Sequence, residues 1–292
     1  MSPIRPPASA PPNARLARHL GRDLMTLSYV LFLFLAHLGV GIIGTLVLVP
    51  RVAGVQFFRF NAGFAAVLLL VALALRPADI VFGSGLQGVA LVALACSTGA
   101  ILIYWATIGR VLGRFRPVLV WLAVLSGVGA VVGQGLAVAP DAGTLVAGLT
   151  VASFLTSTAL LGSTSTAMIL GHWYLVLPSM DVSLLQRIVK FHIGSTAVRI
   201  VVVVGIVWWA IAMADLPGPG FQRYILSLDG VFFWQRILFG LLGPVVLAYM
   251  TWETAKIRAT QSATGILYVD FFTVIVGEVL AKYILVATTV PV

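Results

Sequence analysis

The sequence predicts an all-α fold, a polytopic integral membrane helical bundle of about eight transmembrane helices. Sixty per cent of the 292 residues are hydrophobic and nine per cent are charged, and the mean hydropathy is +1.08. Soluble domains carry charge at about a quarter of their positions. The apolar residues also form long runs separated by short polar loops. The chain is therefore expected to lie in a lipid bilayer.

Eight apolar runs are long enough to span a membrane, which takes about 20 residues for roughly 30 Å of hydrocarbon. The predicted spans are 24–49, 54–75, 86–109, 117–139, 144–177, 187–213, 231–251 and 262–288. The first run is longer than the apolar core of a signal peptide, and no A-x-A site follows it, so it is predicted to be a span.

The remaining segments are predicted to be loops and one tail. Residues 1–23, rich in Pro, Ala and Arg, are expected to form a disordered N-terminal tail. Residues 24–292 then form a single eight-helix transmembrane domain. The longest loop, 214–230, has room for one short interfacial helix.

Basic residues cluster in the loops that follow the odd-numbered spans, whereas the other loops carry two arginines and four aspartates. Because cytoplasmic loops collect Lys and Arg, the odd loops are predicted to be cytoplasmic, although four arginines in the tail oppose this orientation. The net charge of +9 is therefore attributed to topology and to contact with membrane lipids. No nucleic-acid partner is expected.

The chain lacks the motifs of common enzyme classes. It contains no H-E-x-x-H, G-x-S-x-G, Walker or C-x-x-C motif, and its single cysteine, Cys96, lies inside a span. A hydrolase, an ATPase, an intrachain disulfide and a cysteine metal cluster are therefore not predicted. Any enzymatic role is expected to be that of a non-catalytic or quinone-reactive subunit of a membrane oxidoreductase.

Three histidines lie in or at the ends of spans, where ionisable residues indicate functional sites. His37 is close to the centre of the first span, where it can ligate a haem iron or bond a neighbouring helix. His172 ends the fifth span and His192 begins the sixth, so both are expected near one membrane face. Together with Trp173 they are predicted to bind a quinol headgroup or, through iron, a b-type haem. The alternative is an ordinary aromatic belt with a packing role for His192.

Charged residues inside the last spans form a second candidate constellation. Arg199 follows His192 by seven residues, on the same helix face, and is predicted to belong to the cofactor site. It needs a counter-charge, for which Asp270 and Glu278 are the candidates. Lys282 can pair with Glu278 at i, i+4. The pattern indicates either a structural ion-pair network between the sixth and eighth spans or a proton path through Asp270 and Glu278.

The fifth span is rich in hydroxyl side chains, which bond their own helix and neighbouring helices. Because these residues surround the helix, the fifth span is predicted to be central in the bundle. They are Thr156, Ser157, Thr158, Ser163, Thr164, Ser165 and Thr166.

The leading hypothesis is a membrane subunit of a respiratory-type electron-transfer complex in a bacterial-type cytoplasmic (inner) membrane. Quinone and a b-type haem would bind through His37, His172 and His192, Asp270 and Glu278 would transfer protons, and other subunits would be the partners. One alternative is a small-solute or ion transporter or channel, although no inverted repeat or broken mid-span helix is evident. The other is a structural scaffold subunit of a membrane complex.

Overall fold

A computed structural model describes residues 12–109, 114–138, 143–177, 180–212 and 220–292 of the chain, with side chains from Thr26 onward. Helical elements account for most of these residues. They are α1 (Pro12–Leu46), a 3-10 turn (Arg51–Ala53), α2 (Val55–Ala74), α3 (Gly85–Thr107), α4 (Arg116–Val138), α5 (Gly143–Val176), α6 (Ser183–Ala212), α7 (Phe221–Ile225), a 3-10 turn (Leu228–Gly230), α8 (Val231–Ile237), a π-helical turn (Leu238–Leu242), α9 (Gly243–Lys256) and α10 (Thr260–Thr288).

Eight helical segments in this part of the chain are long and apolar enough to cross a membrane. They coincide with the eight predicted spans, so the predicted fold class is confirmed. The seventh, Leu228–Lys256, is longer than predicted because α8, the π-helical turn and α9 follow one another without a break. The short helix α7 lies in the loop where one was expected, while residues 213–219 lie outside the described residues.

Helix α1 begins at Pro12, inside the segment that the sequence analysis assigned to the tail. The stretch 13–24 is rich in Ala, Leu and Arg, which are strong helix formers. A proline is also tolerated in the first turn of a helix, because the N–H group that it lacks would have no intrahelical acceptor. Residues 1–11 of the predicted tail lie outside the described residues.

Helix α5 is the central helix of the bundle, as predicted, and packs against α1, α4, α6 and α10. Most of its hydroxyl side chains are buried, and several bond across helices. The Thr166 hydroxyl, for example, lies 2.6 Å from the Thr45 hydroxyl of α1. Because lipid tails are as apolar as leucine, such bonds and close packing hold transmembrane helices together.

Glycines permit the closest helix contacts. Gly41 of α1 and Gly162 of α5 bring their backbones into direct contact, since a Cβ on either would overlap the other. In α4, a Cβ on Gly127, Gly133 or Gly135 would lie 3.0, 2.9 and 3.0 Å, respectively, from the nearest atom of a neighbouring helix. These three glycines of the fourth span therefore serve helix packing.

The turn between α5 and α6 is fixed by side-chain bonds. The Tyr174 hydroxyl donates to the carbonyl of Asp181 and accepts from the Leu185 N–H at 3.4 Å. The Ser183 N–H donates to the Asp181 carboxylate at 2.9 Å, which lowers the pKa of that carboxyl group. These bonds set how α5 and α6, and hence His172 and His192, lie relative to one another.

Candidate functional site

Two buried polar clusters lie along the inner side of α10. The first, named here the Asp270 cluster, consists of Asp270, His192, Ser163 and Thr164. The second, the Glu278 cluster, contains Glu278, Arg199, Arg236, Lys282, Ser153 and Ser157. Their two carboxylates are eight residues apart on α10, about 12 Å along the helix axis, and both are completely buried.

The Asp270 cluster joins α10 to α5 and α6. His192 Nε2 lies 2.8 Å from Asp270 Oδ2, and the Thr164 hydroxyl donates to the same oxygen at 3.2 Å. On the other side of the ring, His192 Nδ1 lies 3.0 Å from the Ser163 hydroxyl. Ser163 in turn donates to the Leu160 carbonyl at 3.0 Å, so Nδ1 is best assigned as the donor to Ser163.

The contact of His192 Nε2 with Asp270 places a histidine ring against a carboxylate inside the bundle. It lies off the axis of an N–H bond, so it is not a well-aligned hydrogen bond. A proton shared by the two groups would make the contact attractive, because an unprotonated Nε2 and a carboxylate oxygen repel one another at 2.8 Å in a medium of low dielectric constant. The pair is therefore a candidate proton-binding site.

The Glu278 cluster is built on a bidentate pair of Arg199 and Glu278. Arg199 Nε and Nη2 donate to Glu278 Oε1 and Oε2 at 3.1 and 3.2 Å. The remaining nitrogen, Nη1, donates to the carbonyl and hydroxyl of Ser153 at 3.0 and 2.8 Å. The expected pairing of Arg199 with a carboxylate of the eighth span is thus confirmed for Glu278, whereas Asp270 contacts His192 instead.

Lys282 reaches Glu278 only through a hydroxyl group. Its Nζ donates to Ser157 at 2.9 Å, and Ser157 donates to Glu278 Oε2 at 2.6 Å. The ammonium group also lies 4.8 Å from the centre of the Phe154 ring. The predicted direct pair of Glu278 and Lys282 is therefore wrong, because the α5 side chains come between the two residues.

Arg236 was not among the predicted site residues. It is a completely buried residue of α8, and its Nη2 donates to Glu278 Oε1 at 2.9 Å. The available signal was a single charge in the otherwise uncharged run 231–251. Its guanidinium group lies against Gly240 in the π-helical turn, and Gly240 touches Gly277 next to Glu278. Two glycines thus give the arginine access to the carboxylate.

Three basic side chains consequently surround one carboxylate. Arg236 Nε and Nη1 have no hydrogen-bond partner among the described residues. Breaking a buried ion pair leaves an uncompensated charge, so Glu278 holds this part of the bundle together.

The three histidines do not share a site. His172 is exposed at the surface of α5 and its Nδ1 lies 3.0 Å from the Tyr268 hydroxyl. His192 faces Ser163, which is nine residues and about 13.5 Å along α5 from His172. The predicted joint site of His172 and His192 is therefore wrong. Trp173 packs its ring against Phe57 of α2 at 6.1 Å between centroids.

His37 lies inside the bundle, completely buried, with its ring edge-on to Phe154 at 4.8 Å between centroids. Among the described residues neither ring nitrogen makes a well-formed hydrogen bond, and the Gln134 amide, itself without a well-formed bond, lies close enough to His37 for a weak one. A haem beside His37 would need space, yet α1 and α5 are in backbone contact one turn away at Gly41. With both His192 nitrogens engaged, the geometry does not fit a haem held by two of these imidazoles.

The two clusters form part of a polar seam through the bundle. On α10 it runs from Asp270 through Glu278 to Lys282, whereas Tyr268 beside the exposed His172 lies on the outer face of the helix. The twelve residue steps from Asp270 to Lys282 cover about 18 Å, more than half of the roughly 30 Å of hydrocarbon. Buried ionisable groups are rare in membranes and accompany ion and proton pathways. No family model and no curated protein matches the chain. The polar seam is therefore the feature of this protein that bears on its function.

Proposed function

We propose that the protein is an integral subunit of an electron-transfer complex in a bacterial-type cytoplasmic (inner) membrane, and that its task there is to carry protons. The observation behind this proposal is the contact of His192 with Asp270, which places two groups able to bind a proton inside the membrane. From this pair the polar seam extends along α10 to Glu278 and Lys282. A histidine and a carboxylate in contact exchange protons readily, and histidine titrates near neutral pH.

In this proposal Asp270 and His192 pass a proton between them and so form a proton relay. The Glu278 cluster determines the electrostatic potential along the rest of the path. Three basic groups around one carboxylate raise the cost of a further positive charge. A proton therefore stays on the Asp270 side until an anion or a negative redox centre lowers that cost. Proton transfer is thereby linked to the charge of a partner, as an electron-transfer complex requires.

Quinone is the redox partner that we propose. His172 and Tyr268 lie at the bundle surface, where a lipid-soluble headgroup has access. Tyr268 is close to Asp270 in height along α10 but on the opposite face of that helix, so protons released by a quinol bonded there would have to pass around α10 to reach the seam. Lipid extraction and mass spectrometry of the purified protein test this step, and His172→Ala is expected to lower the quinone content at least severalfold.

Proton movement can be measured directly in proteoliposomes. A potassium diffusion potential set with valinomycin, negative inside, lowers the cost of moving a positive charge past the Glu278 cluster as a negative partner would, so under it the wild-type protein is expected to acidify vesicles that contain a pH-sensitive dye. Asp270→Asn keeps the size of the side chain and removes its titration, so the rate should fall at least about tenfold, as for loss of a general acid–base group.

Thr164→Val is the matched control, because it removes one hydrogen bond to Asp270 and leaves the titrating pair intact. It should retain most of the rate. Equal rates for wild type and Asp270→Asn, with both variants folded, would disprove the relay.

Haem is the part of the hypothesis for which the geometry offers the least support. Because the three imidazoles lie in separate surroundings, we expect no Soret or α-band change in a dithionite-minus-air difference spectrum of the purified protein. A clear b-type spectrum would show that the histidines rearrange around a haem.

A second candidate, an anion transporter coupled to protons, is favoured by one feature. The seventh span contains the π-helical turn Leu238–Leu242 beside Arg236, and π-helical turns occur frequently at functional sites. This irregularity was not expected from the sequence. Proton uptake that depends on one particular small anion in the bath would favour the transporter over the electron-transfer subunit.

A further inference from the structure

A cavity of about 300 Å³ lies outside the polar seam, where α1 and α3 end and α2 and α4 begin. Its wall includes Arg51, Arg116 and Tyr104 on one side and Leu46, Phe58 and Trp121 on another. The cavity is thus half polar and half apolar, at the end of the bundle where the loops after spans 1 and 3 lie.

The polar side of the cavity is cationic. Both arginines lie close enough to the Tyr104 hydroxyl to interact with it electrostatically. No acidic residue is among the described residues that line the cavity. Arg116 is held in place because its Nη2 donates to the Thr107 carbonyl at 3.4 Å. Arg51 is exposed, at the 3-10 turn that follows α1. Two guanidinium groups beside a phenol favour an anion with several acceptor oxygens, such as a phosphate.

The apolar side favours a ligand that also has a hydrocarbon portion. Leu46, at the end of α1, is buried and Phe58, in the first turn of α2, packs against the same core, so this wall is apolar at the end of the bundle. The exposed Trp121 sits five residues into α4, at the depth where tryptophan rings line membrane interfaces. A small soluble anion would use the arginines and leave this wall exposed to water.

We propose that this cavity binds the headgroup of an anionic phospholipid, with the phosphate between Arg51, Arg116 and Tyr104 and the glycerol and first acyl carbons against Phe58 and Trp121. The basic loops argue for the same ligand, since the leaflet facing the cytoplasm is rich in anionic lipids. This lipid site does not depend on the proposed proton transfer, and each of the two proposals can be disproved without the other.

Native mass spectrometry of the protein in a neutral detergent tests the proposal, with phosphatidylglycerol, phosphatidylcholine and inorganic phosphate as probes. The wild-type protein should retain phosphatidylglycerol in preference to phosphatidylcholine. Arg51→Gln removes an exposed arginine and should not disturb folding. It is expected to weaken phosphatidylglycerol binding about tenfold, the usual effect of one charge-assisted hydrogen bond. Tyr104→Phe should weaken it less.

Arg187→Gln is the matched control, because Arg187 is also exposed and lies near the start of α6, at the same end of the bundle. It should leave phosphatidylglycerol binding unchanged. Equal losses for Arg51→Gln and Arg187→Gln would show diffuse surface attraction and overturn the site. Inorganic phosphate that displaces the lipid at similar concentration, or phosphatidylcholine that binds as tightly, would also overturn it.

Discussion

Glu278→Gln is expected to lower the melting temperature of the purified protein by about 10 °C or more. Glu278 is the carboxylate that Arg199 and Arg236 contact directly and that Lys282 reaches through Ser157. Glutamine keeps the size of the side chain but removes the charge, and its amide cannot accept all of these donors. Removing one partner of a buried ion pair costs about 3–5 kcal/mol, and for a protein of this size each kcal/mol lowers the melting temperature by about 2–4 °C.

Glu253→Gln provides the control for this experiment. Glu253 and Lys256 form the one direct carboxylate–ammonium pair among the described residues, at 2.7 Å, with both side chains almost half exposed. Exposed pairs contribute at most about 1 kcal/mol, so the melting temperature should change little. A melting temperature for Glu278→Gln as close to wild type as that of Glu253→Gln would contradict the central role of Glu278.

A double variant separates charge imbalance from lost packing. If the three basic groups destabilise the protein once Glu278 is neutral, Arg236→Gln should restore part of the stability of Glu278→Gln. Arg236→Gln in the wild-type background should instead destabilise the protein. An additive result for the two substitutions would show that Arg236 and Glu278 do not act as a pair.

Gly162→Val is expected to prevent the native packing of α1 on α5. A side chain at this position would overlap the carbonyl and Cα of Gly41, and backbone cannot move aside as a flexible side chain can. The two helices would have to separate and lose the contact of Thr45 with Thr166. Overpacking costs about 1–3 kcal/mol where side chains can adjust, so the loss here should be larger. Size-exclusion chromatography in detergent should show little monodisperse protein.

Gly148→Val is the matched control on the same helix. A Cβ at Gly148 meets no atom within 4 Å, and both substitutions carry the same change in helix propensity. Gly148→Val should therefore elute and melt like the wild type. If the two variants behaved alike, helix propensity rather than the contact with Gly41 would explain the loss.

The fold was predictable because it depends on composition and on the length of each apolar run. Those quantities identified eight spans whose ends lie within a few residues of the helices, apart from the start of α1 at Pro12 and the end of the seventh span. Hydroxyl groups around the whole of the fifth span likewise indicated its central place. Both inferences need only the local rule that lipid cannot satisfy polar groups.

The sequence also showed which ionisable residues lie inside the membrane, with the exception of Arg236, because each interrupts an apolar run. It could not show their partners. His172 and His192 are close in the chain and on consecutive helices, yet they face Tyr268 and Asp270 respectively. Glu278 and Lys282 do not pair directly but are bridged by Ser157, because the position of α5 beside α10 could not be read from the sequence.

Partner choice was decided only by the tertiary structure. It depends on which helices are neighbours and on how each is rotated about its axis, and the close glycine contacts at Gly41, Gly162, Gly240 and Gly277 determine both. A buried charge in lipid must find a counter-charge or a hydrogen bond. The sequence alone thus determined that such partners exist, whereas the packing of the backbones determined which they are.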